Sequence, residues 1–174
     1  MAKLRKMLGD VNSQVCLDIM ALIGTQSHAT IDKWAVEYAA AKCLPIFEKH
    51  CPGEMLLRET IEKCRGYILG IIKLKDLKPF LSEARKYAGT VNGDAAQAAA
   101  RAVSAACATV QTPTNAFGFL VYAAAAAAYD ELGPNKDILE YEAYAAGVMT
   151  TALESLKAVA VENEENPVKV NWNC

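Results

Sequence analysis

The sequence predicts an all-α, single-domain bundle of about seven helices around one central alanine-rich helix. Three observations predict it. Apolar residues recur at spacings of three and four, and no stretch alternates apolar and polar long enough for a strand. Polar caps and glycine or proline stops punctuate the chain at regular intervals. One uncharged run, AFGFLVYAAAAAAY, extends from Ala116 to Tyr129.

Each element follows in order. MAKLRKMLGD is read as a flexible start, residues 1–10, before a helix near residues 11–24. Thr30 and Asp32 precede WAVEYAAAKCLPIFEKH, whose Pro45 should kink or split the helix, because proline lacks the N–H that the ladder needs. Pro52 and Gly53 precede EMLLRETIEKCRGYILGII, where Leu57, Ile61, Cys64, Ile68 and Ile71 share one helical stripe. Asp76 opens LKPFLSEARKYA and Gly89 closes it. Asn92, Gly93 and Asp94 precede AAQAAARAVSAACATV. TPTN, Thr112 to Asn115, starts the alanine-rich helix, with Thr114 or Asn115 accepting a backbone N–H, and Gly133-Pro134 ends it. Asn135 opens the last long segment, with Ile138, Tyr141, Ala145, Val148, Ala152, Leu156 and Val159 in phase. Residues 162–174 are polar, carry Pro167 and read as an extended tail on which Trp172 can dock back.

The alanine run decides between a membrane span, a low-complexity tract and an inner helix. Its fourteen uncharged residues fall short of the roughly 20 needed to cross a bilayer. Alanine is the best helix former, loses no side-chain entropy on burial and lets neighbouring backbones approach. The run is therefore expected to lie inside, with Tyr122 and Tyr129 burying their rings and directing hydroxyls to partners at its edges.

Composition bounds the function. The chain of 174 residues is long enough for one domain with a real core, and 53% hydrophobic with 22% charged is a globular balance. A net charge of −2 argues against a nucleic-acid footprint. The charged start is interrupted by Gly9, Asp10, Asn12, Ser13 and Gln14 and lacks the apolar stretch of a secretion signal, so a cytoplasmic location is expected. Six cysteines form no CxxC pair; Cys16, Cys43, Cys64 and Cys107 sit in apolar helical patterns as reduced core residues, and Cys174 is the expected exposed thiol.

A search for chemistry yields no catalytic, metal or cofactor set. The two histidines, His28 and His50, fit neither HExxH nor ExxH, and His50 with Cys51 and Cys43 has no zinc spacing. No phosphate loop or GxSxG elbow occurs. Arg58, Glu62 and Arg65 lie three to four apart, so Glu62 can pair with either arginine. Helix support is the favoured reading and a charged recognition strip the sharper one. Trp34 is either core, the favoured reading, or an anchor at an interface rim.

At this point the residues resemble a family. LIGTQSHATIDKWAVEYAAAKCLPIFEKHCPG, RETIEKCRGYILGIIKL, QAAARAVSAACATVQTPTNAFGFLVYAAAAAAYDELG and LKAVAVENEENPVKVNWNC look like the bacterial putative immunity proteins of polymorphic toxin systems, from about Leu22 to Cys174. LPIFE and TPTNAFG carry the resemblance most specifically. It implies an all-α domain in the cytoplasm that neutralises a toxin by binding it, and it carries no catalytic residues. Members often have histidines near Ser104, Gln111 and Asn115; this chain has none there. The expected partner is thus a toxin domain, met through Trp34, Arg58, Glu62 and Arg65. The alternative is a small-molecule-binding bundle or enzyme with a pocket beside the alanine-rich helix, contacted by Asn115, Tyr122 and Tyr129. A homo-oligomeric scaffold is the third reading.

Overall fold

A computed structural model describes residues 3–173, and the expectation for Cys174 lies outside them. The described chain is all-α. Its helices are α1 (Gln14–Ile23), α2 (His28–Tyr38), α3 (Leu44–His50), α4 (Leu56–Ile68), α5 (Leu74–Thr90), α6 (Asp94–Cys107), α7 (Asn115–Leu132) and α8 (Ile138–Val159). Taken as one interrupted rod, α2 and α3 bring the count to the seven expected.

That interruption is the work of Pro45. It sits in the first turn of α3, and Ala39–Cys43 before it forms a π-helical turn. Proline cannot donate to the carbonyl four residues back and its ring crowds that carbonyl. Widening the preceding turn relieves both problems without ending the rod.

Helix α7 is the inner rod. Ala123, Ala124, Ala125, Ala126 and Ala128 of the alanine run are buried, and only Ala127 is half-exposed. Helix α6 lies along α7 more extensively than any other pair, with α8, α1, α2 and α3 also against it. Ala95, Ala96, Ala98, Ala99, Ala100, Ala102 and Ala106 of α6 are buried too, so two small-residue helices pack closely on each other. Helices α4 and α5 form an outer layer on α6. Cys16, Cys43, Cys64 and Cys107 are buried free thiols in this core, as their pattern requires. Burial pushes the Cys43 thiol up to about 12, where it is chemically quiet.

Several boundaries differ from expectation for local reasons. Helix α2 starts at His28, capped by Ser27, whose hydroxyl accepts from the Thr30 N–H; Thr30 and Asp32 are inside the helix rather than before it. Helix α4 stops at Ile68, because Gly70 turns the chain at φ +75°, and Ile71 leaves the stripe for solvent. Helix α5 begins at Leu74, one residue pair ahead of Asp76, which occupies the first turn where its charge suits the helix dipole. Neither Thr114 nor Asn115 caps α7 through its side chain; the carbonyls of Thr112, Pro113 and Thr114 accept the N–H groups of Asn115, Ala116 and Phe117 instead. Asp137, not Asn135, opens α8 through a capping box with Glu140.

Both ends of the described stretch lie on the body. In the stretch read as a flexible start, Leu8 is buried and its N–H donates to the Val121 carbonyl at 3.1 Å. Gly9 passes so close to Met149 that a Cβ would stand 2.9 Å from its terminal methyl, and its N–H donates to Glu142 at 2.8 Å. At the other end, Trp172 packs edge-on against Phe117 with ring centroids 6.1 Å apart. Glu164 accepts from the Ser27 N–H at 2.8 Å and from the Thr30 hydroxyl at 2.6 Å, so the tail caps α2. No helix among the described residues is long and apolar enough to cross a membrane.

Candidate functional site: a groove and a cleft

Two concave features hold three of the expected site residues, Trp34 in one and Asn115 with Tyr122 in the other; Arg58, Glu62, Arg65 and Tyr129 line neither. The first is a groove between α2 and α8. Its α8 wall is a row spaced by four, Ala143, Gly147, Thr151, Ser155 and Val159. Spacing by four keeps these on one helical face, and their small side chains leave the space beside α2 unfilled. Its α2 wall carries Thr30, Trp34 and Tyr38, and the end near the π-turn is floored by Ala123 and Ala127 of α7. Two contiguous stretches of about 550 Å³ each share Tyr38, Lys42 and Thr151.

Trp34 answers to the core reading and also borders the groove. It is 5% exposed, hence core, yet its ring lines the groove. Its indole N–H donates to the Ser155 hydroxyl at 2.9 Å across the groove. Phe119 of α7 holds Trp34 and Tyr38 from below, edge-on at 5.5 and 5.6 Å between centroids. The aromatic floor is therefore rigid. Burial pushes the Tyr38 hydroxyl well above its usual range, so it stays neutral.

Arg58, Glu62 and Arg65 form a clamp. Arg65 holds Glu37 of α2 through two hydrogen bonds of 2.8 and 2.7 Å and reaches Glu62 at 2.6 Å. Arg58 pairs with Glu48 of α3 through two bonds of 2.7 Å, not with Glu62. Forked arginine–carboxylate pairs fix orientation as well as distance. The Arg65 hydrogen bonds hold the Glu37 carboxyl below its ordinary range. Glu37 also lines the groove, so the strip on α4 meets the groove rim through this one residue. Lys33 adds to the field that holds the Glu37 carboxyl down, and among the described residues neither Lys33 nor Lys42 on the rim has an ion pair within 4 Å.

The second feature is a polar cleft of about 850 Å³ among α5, α6 and the start of α7. Asn115 and Tyr122 line it together, as expected for a pocket beside the alanine-rich helix. Tyr129 does not join them. Its hydroxyl donates to the Arg5 carbonyl at 2.6 Å, and its ring stands edge-on to Tyr141 at 4.9 Å. The docked N-terminal stretch covers that end of the helix face. Ser104 and Gln111 also line the cleft, so the three positions where the resemblance implied histidines come together in space. No group of three metal-ligating side chains occurs among the described residues.

The family model described as Imm-5 like putative immunity protein matches residues 21–148. The chain belongs to this family. The matched stretch runs from the end of α1 into the middle of α8, and so includes the whole of the cleft, the α2 wall of the groove and half of its α8 wall. The segment LKAVAVENEENPVKVNWNC, part of the resemblance read from the sequence, lies beyond the match. No curated protein and no solved structure matches the chain. An immunity family implies a protein partner, and the groove and the clamp are the surfaces on which Trp34, Arg58, Glu62 and Arg65 lie.

Sequence reasoning missed Tyr38, Lys42, Thr151 and Ser155 in the groove, and Lys78, Arg85 and Arg101 in the cleft. A signal existed for some. The row of small residues spaced by four on α8 was visible, as was the seven-residue spacing of Lys78 and Arg85. Which helix faces stay uncovered was not visible.

Proposed function

We propose that this protein is a cytoplasmic immunity protein that neutralises a cognate toxin domain by contact, using the α2–α8 groove as its seat. The observation that supports this most is the rigid aromatic floor of Trp34 and Tyr38, left open by the small-residue row of α8. A preformed surface avoids ordering costs on binding, and buried aromatic anchors dominate such interfaces. Lys33 and Lys42 on the rim, with no ion pair within 4 Å among the described residues, favour a partner segment that is apolar at its centre and acidic at its flanks. Five free cysteines among the described residues agree with a reducing compartment.

Gly147 provides the test. A Cβ added there meets nothing within 4 Å and points into the groove. Gly147→Leu should therefore fill the groove while stabilising α8 by about 0.5–1 kcal/mol, the usual gain on removing a mid-helix glycine. Co-expression with the toxin-like product of a neighbouring gene should give growth rescue by the native chain and loss of rescue by Gly147→Leu, with Tm unchanged or raised. Undiminished capture of the partner by Gly147→Leu would remove the groove from the reading. Absence of any rescue by the native chain would remove the immunity role.

A further inference from the structure

We propose that the cleft among α5, α6 and α7 is a binding site for a small phosphorylated organic molecule, independent of the groove and of the immunity reading. The argument starts from the arginines. The chain has five, and three of them, Arg5, Arg58 and Arg65, are paired with carboxylates. The two without an ion pair among the described residues are Arg85 and Arg101, and both line this cleft. Lys78, also unpaired, stands two turns before Arg85 on the same face of α5. No aspartate or glutamate lines the cleft. Three cations thus border one concavity whose lining has no counter-charge, Arg101 standing also at a small hollow that holds Asp94, in a chain whose net charge is −2.

A second observation points the same way. Ser104 is 8% exposed and lines the cleft, and its hydroxyl makes no side-chain hydrogen bond among the described residues while staying open to the cleft. A hydroxyl open to the cleft and unused by the protein is free to donate to a ligand there. Ser82, Gln111, Thr112 and Asn115 surround the cations with further donors. Guanidinium forks match the oxygens of a phosphate two at a time, and hydroxyl and amide donors take the rest. The remaining lining is Leu81, Ala88, Ala105, Ala108 and the Tyr122 ring, a surface for an organic group rather than for a bare ion. The volume, about 850 Å³, lies in the range of small-molecule sites.

The test uses the full chain in calorimetric titration with inorganic pyrophosphate, ATP and citrate as probes. Pyrophosphate and ATP should bind and compete with each other, and citrate should bind at least about tenfold more weakly. Arg85→Ala and Arg101→Ala should each weaken both phosphate probes about tenfold or more, the effect expected for loss of a charge-assisted pair. Lys86→Ala, on the same helix but outside the cleft, should change nothing. Tyr122→Ala should lower ATP affinity toward that of pyrophosphate and leave pyrophosphate unaffected. Because Arg85 is exposed and unpaired, Arg85→Ala keeps the test valid should Arg101→Ala unfold. No binding of either phosphate probe at millimolar concentration, or equal affinity for citrate, overturns the proposal. So does binding that Arg85→Ala leaves unchanged. Loss of toxin capture by Arg85→Ala without any phosphate binding would assign the cleft to the protein partner and overturn it too.

Discussion

Asp32 shows how one misplaced charge reports on the fold. It lies inside α2 at 6% exposure, and one of its carboxylate oxygens has no hydrogen-bond partner. His28, one turn earlier, is 3.8 Å away, too far for a good hydrogen bond. Burial raises the carboxyl to about 6, with the nearby His28 pulling the other way. The unfolded chain ionises near 3.8, so above pH 6 the charged form opposes folding. Stability from this group rises as pH falls through 6 and is fully recovered below 3.8. Asp32→Asn should therefore raise unfolding free energy at pH 7.5 by about 2 kcal/mol, and the difference from the native chain should shrink toward zero near pH 4. Urea titrations at the two pH values measure it; an advantage that does not shrink would contradict the assignment. The alanine run gives a second residue-scale prediction. Ala125 is fully buried, whereas Ala127 borders the groove. Ala125→Leu should cost about 1–3 kcal/mol by overpacking and lower Tm by several degrees, while Ala127→Leu should leave Tm within about a degree or two. Thermal unfolding of the pair decides whether the run is an inner rod in solution.

Among the elements, the C-terminal tail is held by polar contacts more than by burial. Glu164 caps the start of α2, and the Val161 and Val168 amides donate to the side chain and carbonyl of Gln26 at 2.7 and 2.8 Å. Hydrogen bonds from Thr30 and Ser27 hold the Glu164 carboxyl below its ordinary range. A depressed carboxyl contributes stability above the unfolded glutamate range and loses it as pH falls through the folded value. Glu164→Gln should speed hydrogen exchange at Val161 and Val168 about tenfold, with little change at core amides such as Ala125. Unchanged protection at those two amides would mean that Trp172 against Phe117 holds the tail instead. The element scale also shows what was legible. Existence and order of the helices followed from spacing, and Pro45 marked the break in α2–α3. The helix starts at His28, Leu74 and Ile138 were misjudged because several polar residues cluster at each boundary. Only the path of the neighbouring chain, such as Glu164 over Ser27, selects which residue becomes the cap.

At the scale of the whole molecule, the groove and the cleft lie on separate faces of α7. Ala123 and Ala127 look toward α8 and the π-turn, whereas Asn115 and Tyr122 look toward α5 and α6. At about 100° per residue the two pairs are separated by roughly a third of a turn. Changes at one should not couple to the other. Gly147→Leu should leave pyrophosphate affinity unaltered, and Arg85→Ala should leave toxin capture unaltered, as read by titration and co-purification. Coupling in either direction would show that the faces act as one site.

The sequence by itself determined that this chain makes helices, that the alanine run lies inside, and that the LPIFE and TPTNAFG segments place it with the immunity family. Those properties rest on local spacing, side-chain size and helix propensity, which are written along the chain. Only the tertiary structure decided that Arg58 and Arg65 spend their charge on Glu48 and Glu37 while Arg85 and Arg101 keep theirs. It also decided that Tyr129 is sealed by the N-terminal stretch while Tyr122 stays open. The physical reason is the same in both cases. Whether a polar group is satisfied depends on which distant residue packs over it, and that is a property of how the helices are stacked.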